Sequence, residues 1–240
     1  MVFHFTHAYS FLKFTNFENK TFDMQSTTLQ FLRNLEKNNN REWFNENKTL
    51  YQEAQQDVIS FVEKLIEEMA TFDEEVGKVD AKKSLFRIYR DTRFSKDKSP
   101  YKTNFGASLG MGKGSQKAGY YLHIEPGKSF LGGGIYMPES SALKAIRKEI
   151  SALGDEFKAI LEKDEFRNYF RGLSVEDKLK KMPQGFEKDD KMAEYLKLKH
   201  FIVTHPVSDE QLLSENAVKE FTKIFKAMKP LNDFLQTPFE

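Results

Sequence analysis

The chain has 240 residues, of which 39% are hydrophobic and 30% charged, with 23 Phe and 9 Tyr. A globular chain of that length hides roughly 70% of its unfolded surface, so disordered and staple-dependent classes are excluded. Lys and Arg total 37 against 36 Asp and Glu, so there is no global pull toward nucleic acid or acidic membranes and any electrostatic function is local. Cysteine is absent, which excludes disulfides, thiolate metal sites and Cys nucleophiles and fits a reducing, cytoplasmic setting.

The first 23 residues carry Phe3, Phe5, Phe11, Phe14, Phe17 and Phe22 with no period. They lack the basic, apolar and small-residue order of a secretory signal. Residues 1–23 read as an extension outside the core domain, with Met24 as the natural start. An arm docked through its Phe residues is the alternative. From Met24 the pattern is regular. A helix is expected over 27–37, capped by Thr27 or Thr28 with a stripe of Leu29, Leu32 and Leu35, and broken by Asn38 to Asn40. A second begins at Arg41, and a long one runs from Lys48 to about Ala70.

The period then changes from 3.6 to 2. Strands are expected at 83–94, 104–111, 119–125 and 129–137, joined by short turns at 112–117 and at Pro126, Gly127 and Lys128. Short joints imply an antiparallel meander. Pro138 stops it, and Ser140 or Ser141 caps a helix to about Leu153. Helical pieces follow near 157–161, 166–170 and 192–198, then a fifth strand at 201–203. A last helix is capped by Ser208 and ended by Pro230. The expected fold is α+β, one domain over 24–240: an antiparallel meander over about 83–137 plus a later fifth strand, packed against N-terminal and C-terminal helices. No run reaches the ~18 apolar residues of a membrane helix, so no membrane partner is expected.

The densest polar motif lies at 82–102, where eight Lys and Arg face only Asp91 and Asp97, a local net of +6. Guanidinium forks bind carboxylate and phosphate in pairs. Arg87, Arg90, Asp91, Arg93, Lys98, Tyr101 and Lys102 are therefore the candidate ligand-binding residues for a small anionic or phosphate-bearing ligand. Arg90 shares strand parity with Phe86 and Ile88, so a buried acid from a packed helix is expected as its partner. Two other readings stand beside this one. The segment also carries Phe86, Tyr89, Phe94 and Tyr101, and aromatic residues among basic ones suit a nucleic-acid or protein interaction module. The arginines can equally form a structural network without a ligand.

The spacing R-x-x-R-D-x-R-F-x-x-D-K-x-x-Y, carried by Arg87 through Tyr101, resembles the signature of an uncharacterised bacterial and fungal family, a domain of unknown function. The stretches at 38–44, 120–127 and 132–136 are similar to that family's helix junction and central hairpin. The resemblance runs from about Met24 to the last helix and implies no activity.

Parity places Arg87, Tyr121, His123 and Glu125 on the sheet face that carries Gly106, Ser108 and Gly110, a floor of small residues rimmed by polar ones. His123 and Glu125, two apart, are the acid–base candidates. A bulge or a closely packed helix is the plainer explanation for Gly132, Gly133 and Gly134. The G-x-S-x-G match at 106–110 lacks the strand–turn–helix setting of a nucleophile elbow, and 107–114 fails the phosphate-loop spacing. His200 and His205 differ in parity, and no cluster has metal-ligand spacing, so neither metal nor cofactor is expected. The sequence assigns no reaction.

Overall fold

The computed structural model describes residues 24–109 and 117–239. The 1–23 extension and most of the expected 112–117 turn lie outside them, as does the Gly110 end of the small-residue floor. Helix α1 (Ser26–Lys37) buries Leu29, Phe31, Leu32 and Leu35. Its cap is not the expected threonine. Asp57 on the third helix accepts the Gln25 N–H at 2.9 Å and the Thr28 hydroxyl at 2.5 Å, so a neighbouring helix satisfies the end that a local side chain would otherwise cap. Asn40 caps α2 (Arg41–Glu46) by accepting the Trp43 N–H. Helix α3 (Lys48–Met69) buries an apolar stripe from Ala54 to Met69.

Strands β1 (Phe105–Leu109), β2 (Gly119–Ile124), β3 (Ser129–Ile135) and β4 (Phe201–Val207) form one antiparallel sheet in the order β1-β2-β3-β4. The α+β class and the late strand match the sequence reading. The expected 83–94 strand is different in kind. A helical turn, Ala81–Ser84, is capped by Asp80, and beyond it the chain makes two isolated bridges, Leu85↔Ala107 on β1 and Tyr89↔Tyr101 ahead of β1. Four steps along one side face six along the other, so no ladder can continue and alternation is lost. Leu85 and Ile88 are buried, a spacing of three rather than two.

One sheet face carries Ala107, Leu109, Tyr120, Leu122, Ile124, Leu131, Phe201 and Val203, all buried in a core shared with α3 and with α6 (Ala217–Gln236). Helices α4 (Ser140–Ala152) and α5 (Gly154–Glu162) extend that core through Ile146, Ile150 and Phe157. Glu139, not a serine, sits at the α4 cap position. Ser208 makes a capping box with Gln211 on the turn Asp209–Leu212. Pro230 does not end α6. The helix continues to Gln236 and buries Leu231, Phe234 and Leu235 beyond the proline, packing that offsets a proline cost of about 3 kcal/mol. No helix among the described residues is long and apolar enough to cross a membrane.

Candidate functional site

The other sheet face is where sequence parity placed Tyr121, His123 and Glu125, and the register puts His123 opposite Gly106 and Tyr121 opposite Ser108. The three form a relay. The Tyr121 hydroxyl lies 3.1 Å from His123 Nδ1, and His123 Nε2 lies 3.0 Å from Glu125 Oε2. The His123 and Glu125 side chains are 15% and 20% exposed, so solvent reaches both but does not dominate. Burial pushes the Glu125 carboxyl up, but hydrogen bonds from His123 and Lys128 outweigh it and hold it below its ordinary value. An ionised carboxylate only accepts, so in the neutral ring the proton sits on Nε2 and Nδ1 is a lone pair. Tyr121 then donates to Nδ1, and the Asn104 amide approaches the same atom at 3.4 Å. Burial, aided by the Glu125 charge, pushes the Tyr121 phenol up to about 12, so it stays a donor.

The support is built into the hairpin. Gly127 takes a left-handed φ of 71° at the turn, where glycine is unstrained. Its N–H is held by Asp209, which also pairs with Arg33 on α1. Lys128 and the Thr103 hydroxyl both reach Glu125 Oε1, at 3.3 and 3.4 Å. The floor of small residues is covered rather than open. The Phe130 ring stacks on His123 at 4.6 Å, Tyr121 lies between Phe130 and Phe86, and the Lys102 ammonium sits 5.5 Å from the Phe86 ring. A Cβ on Gly106 would stand 2.4 Å from the Tyr121 hydroxyl, so glycine there makes room for the phenol. The three-glycine run has plainer causes: Met228 packs onto Gly133, and Gly134 has a φ of 110° against the Phe201 carbonyl.

The arginine-rich segment is arranged differently from the expectation. Arg90 is 28% exposed and pairs with Asp97, seven residues on in the same loop, not with an acid from a packed helix. The broken ladder is the reason, because parity no longer carries Arg90 inward. Arg93 grips Asp91 through two bonds of 2.9 and 2.6 Å, which lower the Asp91 carboxyl to about 2. Asp97 is likewise held well below the usual carboxylate range, first by Ser99 and then by Arg90. Lys98 donates to the Thr92 carbonyl at 2.9 Å. Arg87 is exposed. Tyr101 is buried, stacked on Phe44 at 3.9 Å, with its backbone clamped by Asn39, so its ring has no surface to offer a ligand. Of the sequence candidates, Lys102 reaches the neighbourhood of His123 and Glu125, through Phe86 and Tyr121. Sequence reasoning left Tyr121 at the rim and passed over Asn104, Thr103 and Lys128. The i, i+2, i+4 spacing of Tyr121, His123 and Glu125 was the available signal.

Two hollows, of about 600 and 410 Å³, lie elsewhere. The first is lined by Ser151–Glu156 and Asp189–Met192, the second around Pro230 and Phe234, and neither includes a residue of this site. Among the described residues, no group of three His, Asp or Glu is placed to hold a metal ion. A family model described as conserved hypothetical protein (DUF2461) matches residues 27–234. No curated protein and no solved structure matches the chain.

Proposed function

The chain belongs to the DUF2461 family, whose description carries no activity, and we propose that its function is to bind a small anionic ligand at the sheet face of Tyr121, His123 and Glu125, beside Lys102. In this reading the Tyr121–His123–Glu125 relay exchanges a proton with that ligand. The observation that carries it is the relay itself: one imidazole bonded at both nitrogens, between a phenol held as a donor and a carboxylate held ionised. That is the base-and-orienter arrangement of acid–base sites. His123 has both nitrogens engaged, so Tyr121 is the group that meets the ligand and His123 the base behind it. Lys102, and Lys128 at Glu125, supply positive charge. A cytoplasmic setting is part of the same proposal.

Arg90 and Arg93 are assigned a second role. Their pairing with Asp97 and Asp91 supports a structural network that shapes the loop rather than a pair of ligand forks. The test is a backbone-amide NMR titration of the full chain with inorganic phosphate, acetate and a phosphomonoester. Saturable shifts at Lys102, Asn104, Tyr121 and His123 are expected, and are lost in His123→Asn and Glu125→Gln. Shifts confined to residues 90–99, or none with any of the three, would overturn the reading.

A further inference from the structure

The loop between the bridge partners Tyr89 and Tyr101 takes no part in that site, and its architecture points elsewhere. Its ends are held by the Tyr89↔Tyr101 bridge, by Arg90 N–H donating to the Pro100 carbonyl at 2.9 Å, and by the Asn39 clamp. Inside, Arg90 meets Asp97, Arg93 meets Asp91, Asp97 accepts from the Ser99 N–H and hydroxyl, and Lys98 ties to the Thr92 carbonyl. Both acids of the loop are therefore consumed by two arginines. Lys96 and Lys98 form no ion pair with either acid of the loop, and both are exposed.

Phe94 stands on this loop 95% exposed, and Tyr89 at its base is 53% exposed while its other side packs on Tyr101 and Phe44. A lone exposed apolar side chain carries no meaning. Here one such ring projects from a loop cross-braced at four points, flanked by Arg93, Ser95 and Lys96, with the Arg93 guanidinium 5.8 Å from its centroid.

We propose that this loop binds single-stranded nucleic acid, with Phe94 and Tyr89 as stacking platforms and Lys96 and Lys98 as phosphate contacts. The chemistry selects this partner. Unpaired bases offer flat faces that stack on a ring standing free of any groove, and a phosphate chain supplies the matching charge. A duplex keeps its bases stacked on one another. An acidic polypeptide matches the charge but offers no planar face, and one ring among Asp91, Ser95, Asp97 and Ser99 has too little apolar area to enter a bilayer.

The test is fluorescence anisotropy of the full chain with a fluorescein-labelled oligothymidylate of about 16 nucleotides, within the site size of a single platform. Salt is varied, and a duplex of equal length and polyglutamate serve as competitors. Binding is expected to favour the single strand and to weaken with salt. Phe94→Ala should weaken it about five- to a hundredfold with the salt slope unchanged, because the ring carries no charge. Phe94→Trp should retain it. Lys96→Gln together with Lys98→Gln should reduce the log–log slope by about 1.4, at ~0.7 per phosphate contact. Phe94 is exposed, so an unchanged urea midpoint is expected to accompany the loss in Phe94→Ala. His123→Asn should leave oligonucleotide binding intact, which separates this site from the sheet face. No binding at low salt, equal competition by polyglutamate or duplex, or Phe94→Ala indistinguishable from the parent would overturn the proposal.

Discussion

Gly106→Ala tests whether the relay is a packed, directional network. The added Cβ would stand 2.4 Å from the Tyr121 hydroxyl oxygen, 3.0 Å from Cζ and 3.1 Å from Cε2. No real Cβ tolerates the first of these, so the phenol must leave the Gly106 surface and with it His123 Nδ1, now 3.1 Å away. Losing that hydrogen bond while the donor stays largely buried costs about 1–3 kcal/mol. Replacing a strand glycine by alanine returns about 0.5–1 kcal/mol. The net expectation is a loss of about 0–2.5 kcal/mol, centred near 1, or up to about 10 °C in the midpoint at ~2–4 °C per kcal/mol for a chain of this size. Tyr121→Phe removes the nearest atom but leaves the tight ring carbons, so in the alanine background it should cost less than in the parent. The coupling energy of the cycle should be about 1 kcal/mol. Urea unfolding of the four proteins measures it. An alanine variant as stable as the parent, with additive effects of the two substitutions, would show that the phenol is not seated on Gly106 and that the relay geometry is wrong.

Pro230→Ala should raise the unfolding free energy in urea titrations by about 1–2 kcal/mol, because α6 continues through Pro230 and alanine restores a backbone donor that proline lacks, less the chain entropy that proline removes from the unfolded state. Asp57→Ala should cost about 0.5–2 kcal/mol, the range for a lost cap, since it strands the Gln25 N–H and the Thr28 hydroxyl together. Folded Glu125 holds its proton less readily than the unfolded chain does. The unfolded state therefore binds more protons below the ordinary carboxylate value of 4.5, and stability falls as pH drops through that window. Glu125→Gln should flatten this acid limb, and a limb unchanged from the parent would remove the carboxylate from the relay. Arg90→Ala should leave the thermal midpoint almost unchanged, because its partner Asp97 is 59% exposed and surface pairs contribute little. A collapse of the midpoint would mean that Arg90 is buried after all.

Local sequence was sufficient wherever a period was unbroken. The stripe of α3, the alternation of Tyr120 through Glu125 and the hairpin at Pro126 to Lys128 are each fixed by neighbours a few residues apart, so the sheet, the long helices and the shared face of Tyr121, His123 and Glu125 were legible. Three features were decided by partners distant in the chain. Asp57 supplies the α1 cap across 29 to 32 residues, and no pattern inside α1 encodes that. Core packing of Leu231, Phe234 and Leu235 carries α6 past Pro230, against the local rule for proline. The 85–101 segment keeps strand-like residues, but the helical turn before it and the four-against-six mismatch between residues 85–89 and 101–107 break its register. Parity is a valid guide to side-chain direction only while every residue pairs. It therefore placed His123 correctly and misplaced Arg90, whose charge is met by Asp97 in its own loop rather than inside the core.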